Sequence, residues 1–259
     1  MIFVETILVA FAMFSALPLP CPEWNQKNMR YAMCAFPLIG LVCGALWYGW
    51  GTLCIWLNVQ HLLRGAGFCL IPVLVTGGIH LDGFADTCDA LASHAPADKK
   101  QEILKDPRCG AFAVIRLCSY FAAHLALCTA LLPTKKALLS MGLAFVLERG
   151  LSGLAVTRFP LAKNTGLAHT FATAADRRAA SRVLMLECAL AGAGMIALGG
   201  FTGLAMAVVG LVLFWRYRVV ADREFGGLSG DLAGWFLQWA ELWMLGALAA
   251  CQLLEAKFL

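Results

Sequence analysis

Charge is scarce in this chain. Asp, Glu, Lys and Arg make up 14% of its 259 residues, against about 25% in soluble domains, which leaves too little charge to cover a water-exposed surface. No long basic tract and no run of interleaved basic and aromatic residues occurs, and the net charge is only +4, which argues against nucleic acid as a partner. Cys-x-x-Cys and Cys/His pairs at zinc spacing are absent. The 11 cysteines are scattered, mostly within apolar runs, and read as small apolar fillers. No internal repeat is evident. Residues 1–17 are apolar but lack a basic leader region and carry Glu5; with the rigid Pro18-Leu19-Pro20-Cys21-Pro22 behind them, they predict an interfacial or re-entrant helix rather than a cleaved signal.

Apolar residues fill the space that charge leaves, at 61% of the chain. A helix needs about 20 residues to cross about 30 Å of hydrocarbon. Runs at 34–57, 61–79, 110–132, 137–157, 183–200, 201–217 and 232–254 meet or approach that length. The sixth is the shortest, and it divides from the fifth near Gly199-Gly200. The expected fold is therefore all-α: a polytopic transmembrane bundle of six to seven spans, one domain over 1–259, with cytoplasmic loops and short helices forming the site. Polar segments 80–109, 158–182 and 218–231 separate the spans. If 80–109 is cytoplasmic, fourteen of the 20 Lys and Arg residues fall on its side and four on the other, the bias expected of inward-facing loops.

The few acids are concentrated. Asp82, Asp86 and Asp89 recur at i, i+4 and i+7, which stacks three carboxylates along one helix face, while Leu81, Phe84, Ala85, Cys88 and Leu91 take the other side. Like charges so arranged repel, more strongly beside low-dielectric surroundings, and a cation between them relieves the repulsion. All-oxygen ligation suits Mg²⁺ or Mn²⁺, particularly where substrate phosphates complete the shell. The plainer alternative is a helix-capping Asp82 with solvated neighbours; the scarcity of acids and their place at a membrane boundary favour the metal. Within Glu102–Gly110, Asp106 can add a ligand or orient a nucleophile. Lys105 and Arg108 can neutralise phosphate oxygens or simply anchor the inner boundary. In Arg223–Asp231, Gly226, Gly227 and Gly230 surround Ser229 and allow a tight turn that offers N–H groups to phosphate; a plain turn is the alternative, and no Gly-Lys-Ser/Thr makes it a Walker loop. Glu148, Arg149, Glu187 and Glu241 lie in apolar runs, where ionisable groups pair or line polar cavities. Adjacent positions diverge on a helix, and Glu241 could face a cleft or bond a neighbouring helix. His80 is expected beside the carboxylates rather than among the ligands.

Gly77–Asp89 resembles the GG-(hydrophobic)-HLDG-(hydrophobic)-ADT-x-D signature of cobalamin synthases, the adenosylcobinamide-GDP ribazoletransferases. Glu102–Gly110 is similar to that family's E-I-(M/L)-(K/R)-D-S-R-x-G, with Pro107 in place of a small polar residue. Phe36–Gly40 and Gly226–Asp231 (family GG-x-(S/T)-GD) extend the likeness, which runs from about residue 17 to 245. Ser15-Ala16 stands where the family commonly has Thr-Arg, and Arg158–Ala168 matches only loosely. The resemblance implies transfer of α-ribazole, or its 5′-phosphate, onto adenosylcobinamide-GDP, giving adenosylcobalamin or its 5′-phosphate plus GMP. It implies Mg²⁺, with Mn²⁺ as the alternative, on Asp82, Asp86, Asp89 and Asp106. Phosphate contacts would come from Lys105, Arg108, Arg223, Gly226, Gly227, Ser229 and Asp231. It implies a multi-pass protein of the bacterial inner membrane, with segments 76–110 and 218–231 facing the cytoplasm, and leaves room for a homo-oligomer or association with other enzymes of nucleotide-loop assembly. A CDP-alcohol phosphotransferase is the rival enzyme, but its Asp-Gly-x-x-Ala-Arg lacks a counterpart at Asp82–Thr87. A corrinoid or cation transporter would be expected to show repeats and mid-membrane broken helices.

Overall fold

The computed structural model describes residues 2–163 and 165–258. In these, the chain forms α1 (Ile2–Phe14), α2 (Gln26–Met29), a 3-10 turn (Ala32–Ala35), α3 (Phe36–Trp56), α4 (His61–Thr76), α5 (Ile79–Ala92), α6 (Ala97–Ile103), α7 (Ala111–Ala130), α8 (Lys135–Arg158), α9 (Leu167–Ala174), α10 (Arg177–Gly199), α11 (Phe201–Phe225) and α12 (Gly230–Phe258). Among the described residues the sole β-type contact is an isolated bridge between Leu161 and Leu228.

Six elements (α3, which continues from the 3-10 turn, α7, α8, α10, α11 and α12) are each long and apolar enough to span a membrane, and α4 with α5 makes a seventh only as a pair bent by 94°. The expected polytopic helical bundle is borne out. Gly77 and Gly78 cause the bend: both hold positive φ, +65° and +81°, a region closed to most side chains. The sixth span differs from expectation. α11 is 25 residues long rather than the shortest, because it continues as a helix past the apolar run, through Arg218, Asp222, Arg223 and Glu224. Hydropathy marks where the membrane ends, not where the helix does. α10 likewise starts six residues ahead of its apolar run, capped by Asp176, whose Oδ1 accepts from Ala179 N at 3.1 Å. At 13 residues, or about 20 Å, α1 is too short to span; it packs on the 3-10 turn, and Ala16 N donates to Val75 O at 2.8 Å.

α8 is the hub, buried along nearly its whole length and packed by α3, α10, α11 and α12. A helix without a polar face to turn to water belongs in such a position. Its partners come close because small residues face each other: a Cβ on Gly44 would lie 2.8 Å from Gly142 Cα, and one on Gly40 would strike the Phe145 backbone. Small residues four apart permit this kind of close packing between membrane helices. Inside the hub, Arg149 Nη1 donates to Glu148 Oε1 at 2.7 Å and to Phe145 O at 3.1 Å, so the adjacent charges do pair through their side chains. Glu241 faces a neighbouring helix, 3.7 Å from His124 Nε2. Large apolar side chains such as Leu74, Leu190, Phe201, Leu211 and Trp215 point outward, as a lipid-facing surface requires. The short turns lie at one end of the bundle. The long connections 77–110 and 159–176, and the 226–229 turn, gather at the other.

At Gly44, Leu is expected to overpack the α3–α8 contact and cost roughly 1–3 kcal/mol or more. Gly49→Ala, which meets nothing within 4 Å, should be neutral or slightly stabilising. Thermal unfolding of the detergent-solubilised variants measures the difference.

Candidate active site

α5 reaches its place by backbone contact with α12. A Cβ on Gly83 would sit 2.8 Å from Asp231 Cα, and one on Gly234 would sit 2.6 Å from His80 O. His80 is buried, edge-on to the Phe36 ring at 5.8 Å, while Phe84 packs on Tyr120 and Trp239. With its apolar side so held, α5 presents Asp82, Asp86 and Asp89 along the other, and the Gly83 contact adds Asp231 from α12. The Asp86 carboxyl is pushed up to about 6, by burial first and then by the charges of Asp82, Asp231 and Asp89. Four carboxylates therefore share one neighbourhood.

Asp89 has a second engagement. Its Oδ1 lies 3.4 Å from the Ala113 amide in the first turn of α7, and it packs so tightly on Gly110 that any side chain there would collide. A helix start whose own N-cap residue is glycine is thus closed by a carboxylate from another helix, favourably placed for the helix dipole. Asp106 and Arg108 satisfy each other, with Nε to Oδ1 at 2.9 Å and Nη2 to Oδ2 at 2.7 Å. The Arg108 side chain's hydrogen bonds, followed by its backbone N–H, hold Asp106 down at about 2.

Two cavities adjoin the carboxylates. One, of about 270 Å³, is walled by Phe14, Met33, Phe36, Phe171 and Leu237, with Asp82 and Asp231 at its edge. The other, of about 250 Å³, is lined by Lys105, Lys163, His169 and Ser229. Leu167, Ala168, Gly230 and Asp231 border both. Asp106, Arg108 and Arg223 are not among the lining residues of either cavity, and Arg223 lies exposed in the last turn of α11.

The glycine loop differs from its expected use. Gly226 ends α11 in the left-handed region at φ +69°. The Gly227 amide donates to Ala221 O and the Leu228 amide to Pro160 O, both at 2.8 Å, and Ala162 N donates back to Leu228 O at 2.9 Å. Those N–H groups are engaged within the protein: Gly227 closes the end of α11, and Leu228 clamps residues 160–162. Ser229 and Gly230 alone of the loop's small residues reach the cavities. The clamp also sets Lys163 in place, a residue that the spacing of motifs did not single out. Phe14, α9 and Phe171 were equally invisible, since they are brought in from distant segments without any local pattern.

The fold and this site define a multi-pass helical membrane protein with a carboxylate-edged, two-chambered cleft at one end of its bundle. A family model described as cobalamin-5-phosphate synthase matches residues 6–249, and the chain belongs to that family. Among curated relatives, an adenosylcobinamide-GDP ribazoletransferase of Lachnoclostridium phytofermentans is 38% identical over 93% of this chain and 91% of its own. A relative of the same name from Clostridium botulinum is 30% identical over 95% and 96%, and another from Pseudomonas syringae is 31% identical over 93% and 97%. No solved structure matches.

At Gly83, a valine side chain would have to displace the Asp231 backbone. Gly83→Val is therefore expected to lower turnover by at least roughly tenfold, while Gly78→Ala, which meets nothing within 4 Å but keeps a strained φ, should act mainly on stability, by about 1–2 kcal/mol. Activity and unfolding temperature measured on both variants separate the two effects.

Proposed function

We propose that this chain is an adenosylcobinamide-GDP ribazoletransferase, carrying out the activity for which its relatives are named. The carrying observation is the gathering of Asp82, Asp86 and Asp89, all within the family's most specific motif, with Asp231 beside a cleft. In the reaction, the 3′-hydroxyl of α-ribazole, or of its 5′-phosphate, attacks the phosphorus bonded to cobinamide. The bond from that phosphorus to the bridging oxygen breaks, GMP leaves, and the hydroxyl proton passes to a base. Such transfers depend mainly on positioning and on neutralising charge.

A divalent metal, Mg²⁺ or alternatively Mn²⁺, fits the donor set. The donors are all carboxylate oxygens, and Asp86 already bears the cost of their mutual repulsion. Among the described residues no three side chains form a ready-made metal cage. That agrees with an ion held by one or two carboxylates plus waters and substrate phosphate, the usual habit of Mg²⁺. Asp82 and Asp86, one turn apart on α5, would hold it, with Asp89 at the mouth of α7. When bound, such an ion supplies charge neutralisation at the diphosphate. Asp231, bordering both chambers, is the carboxylate best placed to receive the hydroxyl proton; Asp106, held by Arg108, is a weak base. The excess of Lys and Arg at the end of the bundle that carries the site supports an inner-membrane protein whose cleft opens to the cytoplasm.

The test is GMP release from adenosylcobinamide-GDP by purified, detergent-solubilised protein, dependent on α-ribazole. Asp82→Asn and Asp86→Asn should each lower it on the order of 10²-fold or more, with unfolding temperatures near that of the parent. Chelation should abolish it and added Mg²⁺ restore it. Near-parental rates in both variants, or indifference to chelators, would remove the metal assignment.

A further inference from the structure

Lys105 and Lys163 come from different connections, the one after α6 and the one after α8, yet line the same 250 Å³ chamber. Their side chains are close enough to oppose each other: the Lys163 ammonium is lowered from its usual range by burial first and then by the charge of Lys105. Lys163 Nζ is held 3.2 Å from Gln101 O, which fixes its direction without neutralising it. Among the described residues, neither lysine takes part in an ion pair. Two cations facing one chamber, with Asp231 as its single acid, are complementary to a compact dianion.

The neighbouring chamber has the opposite chemistry. Phe14, Phe36 and Phe171 wall it, and Phe14 stands 4.7 Å from Phe36 and 5.2 Å from Phe171, ring centroid to centroid. Rings so close pack on one another, and the aromatic wall they form suits a flat, uncharged heteroaromatic ring laid against it. The chambers meet at Gly230 and Asp231. A nucleotide is built in the same order: aromatic base, ribose, phosphate.

We infer that the paired chambers seat one acceptor nucleotide, its base against the phenylalanines, its ribose at Asp231, and its 5′-phosphate on Lys105 and Lys163. This rests on the proposed activity and deepens it. The arrangement brings the ribose hydroxyls to the carboxylates, where the donor's diphosphate would be held, and makes the lysine pair the determinant of preference for the 5′-phosphorylated acceptor over the bare nucleoside. Arg108, turned to Asp106, and Arg223, exposed on α11, take no part in that contact.

The test compares kcat/KM for α-ribazole 5′-phosphate and for α-ribazole in the parent, Lys163→Gln and Lys163→Arg. The parent should prefer the nucleotide. Lys163→Gln should cut that preference roughly tenfold, as loss of a charge-assisted hydrogen bond does, and Lys163→Arg should retain most of it. A parent indifferent to the 5′-phosphate overturns the assignment. So does a glutamine variant whose preference equals the parent's, including the case where the KM for adenosylcobinamide-GDP rises instead and the lysines belong to the donor. If the parent releases no GMP with either acceptor, the proposed activity fails by itself. Calorimetric titration of the two acceptors onto the same three proteins, without donor, then still decides whether Lys163 selects the phosphate.

Discussion

The close approach of α5 to α12 is the constraint on which the site depends. Gly83 and Gly234 remove the two side chains that would hold these helices apart, so the helices meet backbone to backbone. That contact carries three aspartates from one helix to a fourth on another. Any Cβ at position 83 would meet Asp231 itself, so the spacing of the carboxylates and the packing of the helices cannot be changed separately. The same device recurs where Gly40 and Gly44 meet α8. In a membrane, where apolar surface gains little from leaving lipid, close van der Waals contact is the available source of specific packing.

The second consequence is electrostatic. The bundle is apolar outside and carries few internal charges, among them the Glu148–Arg149 pair. The carboxylates of α5 stand in contrast: burial penalises the charge of Asp86, and repulsion from Asp82, Asp231 and Asp89 adds to that penalty. A structure keeps such a cluster where a cation is to be attracted. Beside it the cleft divides into an aromatic chamber and a cationic one, with Asp231 on the partition. A ligand that is apolar at one end and anionic at the other can lie across that partition with its middle at the carboxylates.

Legibility followed locality. The stripe of Asp82, Asp86 and Asp89 was readable because its period is that of a single helix, and the spans were readable because each is one continuous run. The length of α11 was not, since its last turns are charged and hydropathy is blind to a helix that leaves the membrane. The part played by Gly226 and Gly227 stayed open in the sequence, because a glycine-rich turn looks the same whether its amides meet a ligand or another stretch of chain; here the Gly227 amide meets Ala221 and the Leu228 amide meets Pro160. Asp89 showed its acidity but not its place at the start of α7. Lys163, Phe14 and Phe171 bore no mark at all.

The sequence by itself determined the class of fold, the helical spans, and the local spacing of acids that marks the chemistry, because all of these are written within stretches shorter than a helix or as an average over one. Tertiary structure alone decided that Asp231 joins the α5 aspartates, that Asp89 closes the start of α7, and that two lysines more than fifty residues apart face one chamber. Those relations depend on which helices touch and at what register, and the contact surfaces that set the register are drawn from the whole chain at once.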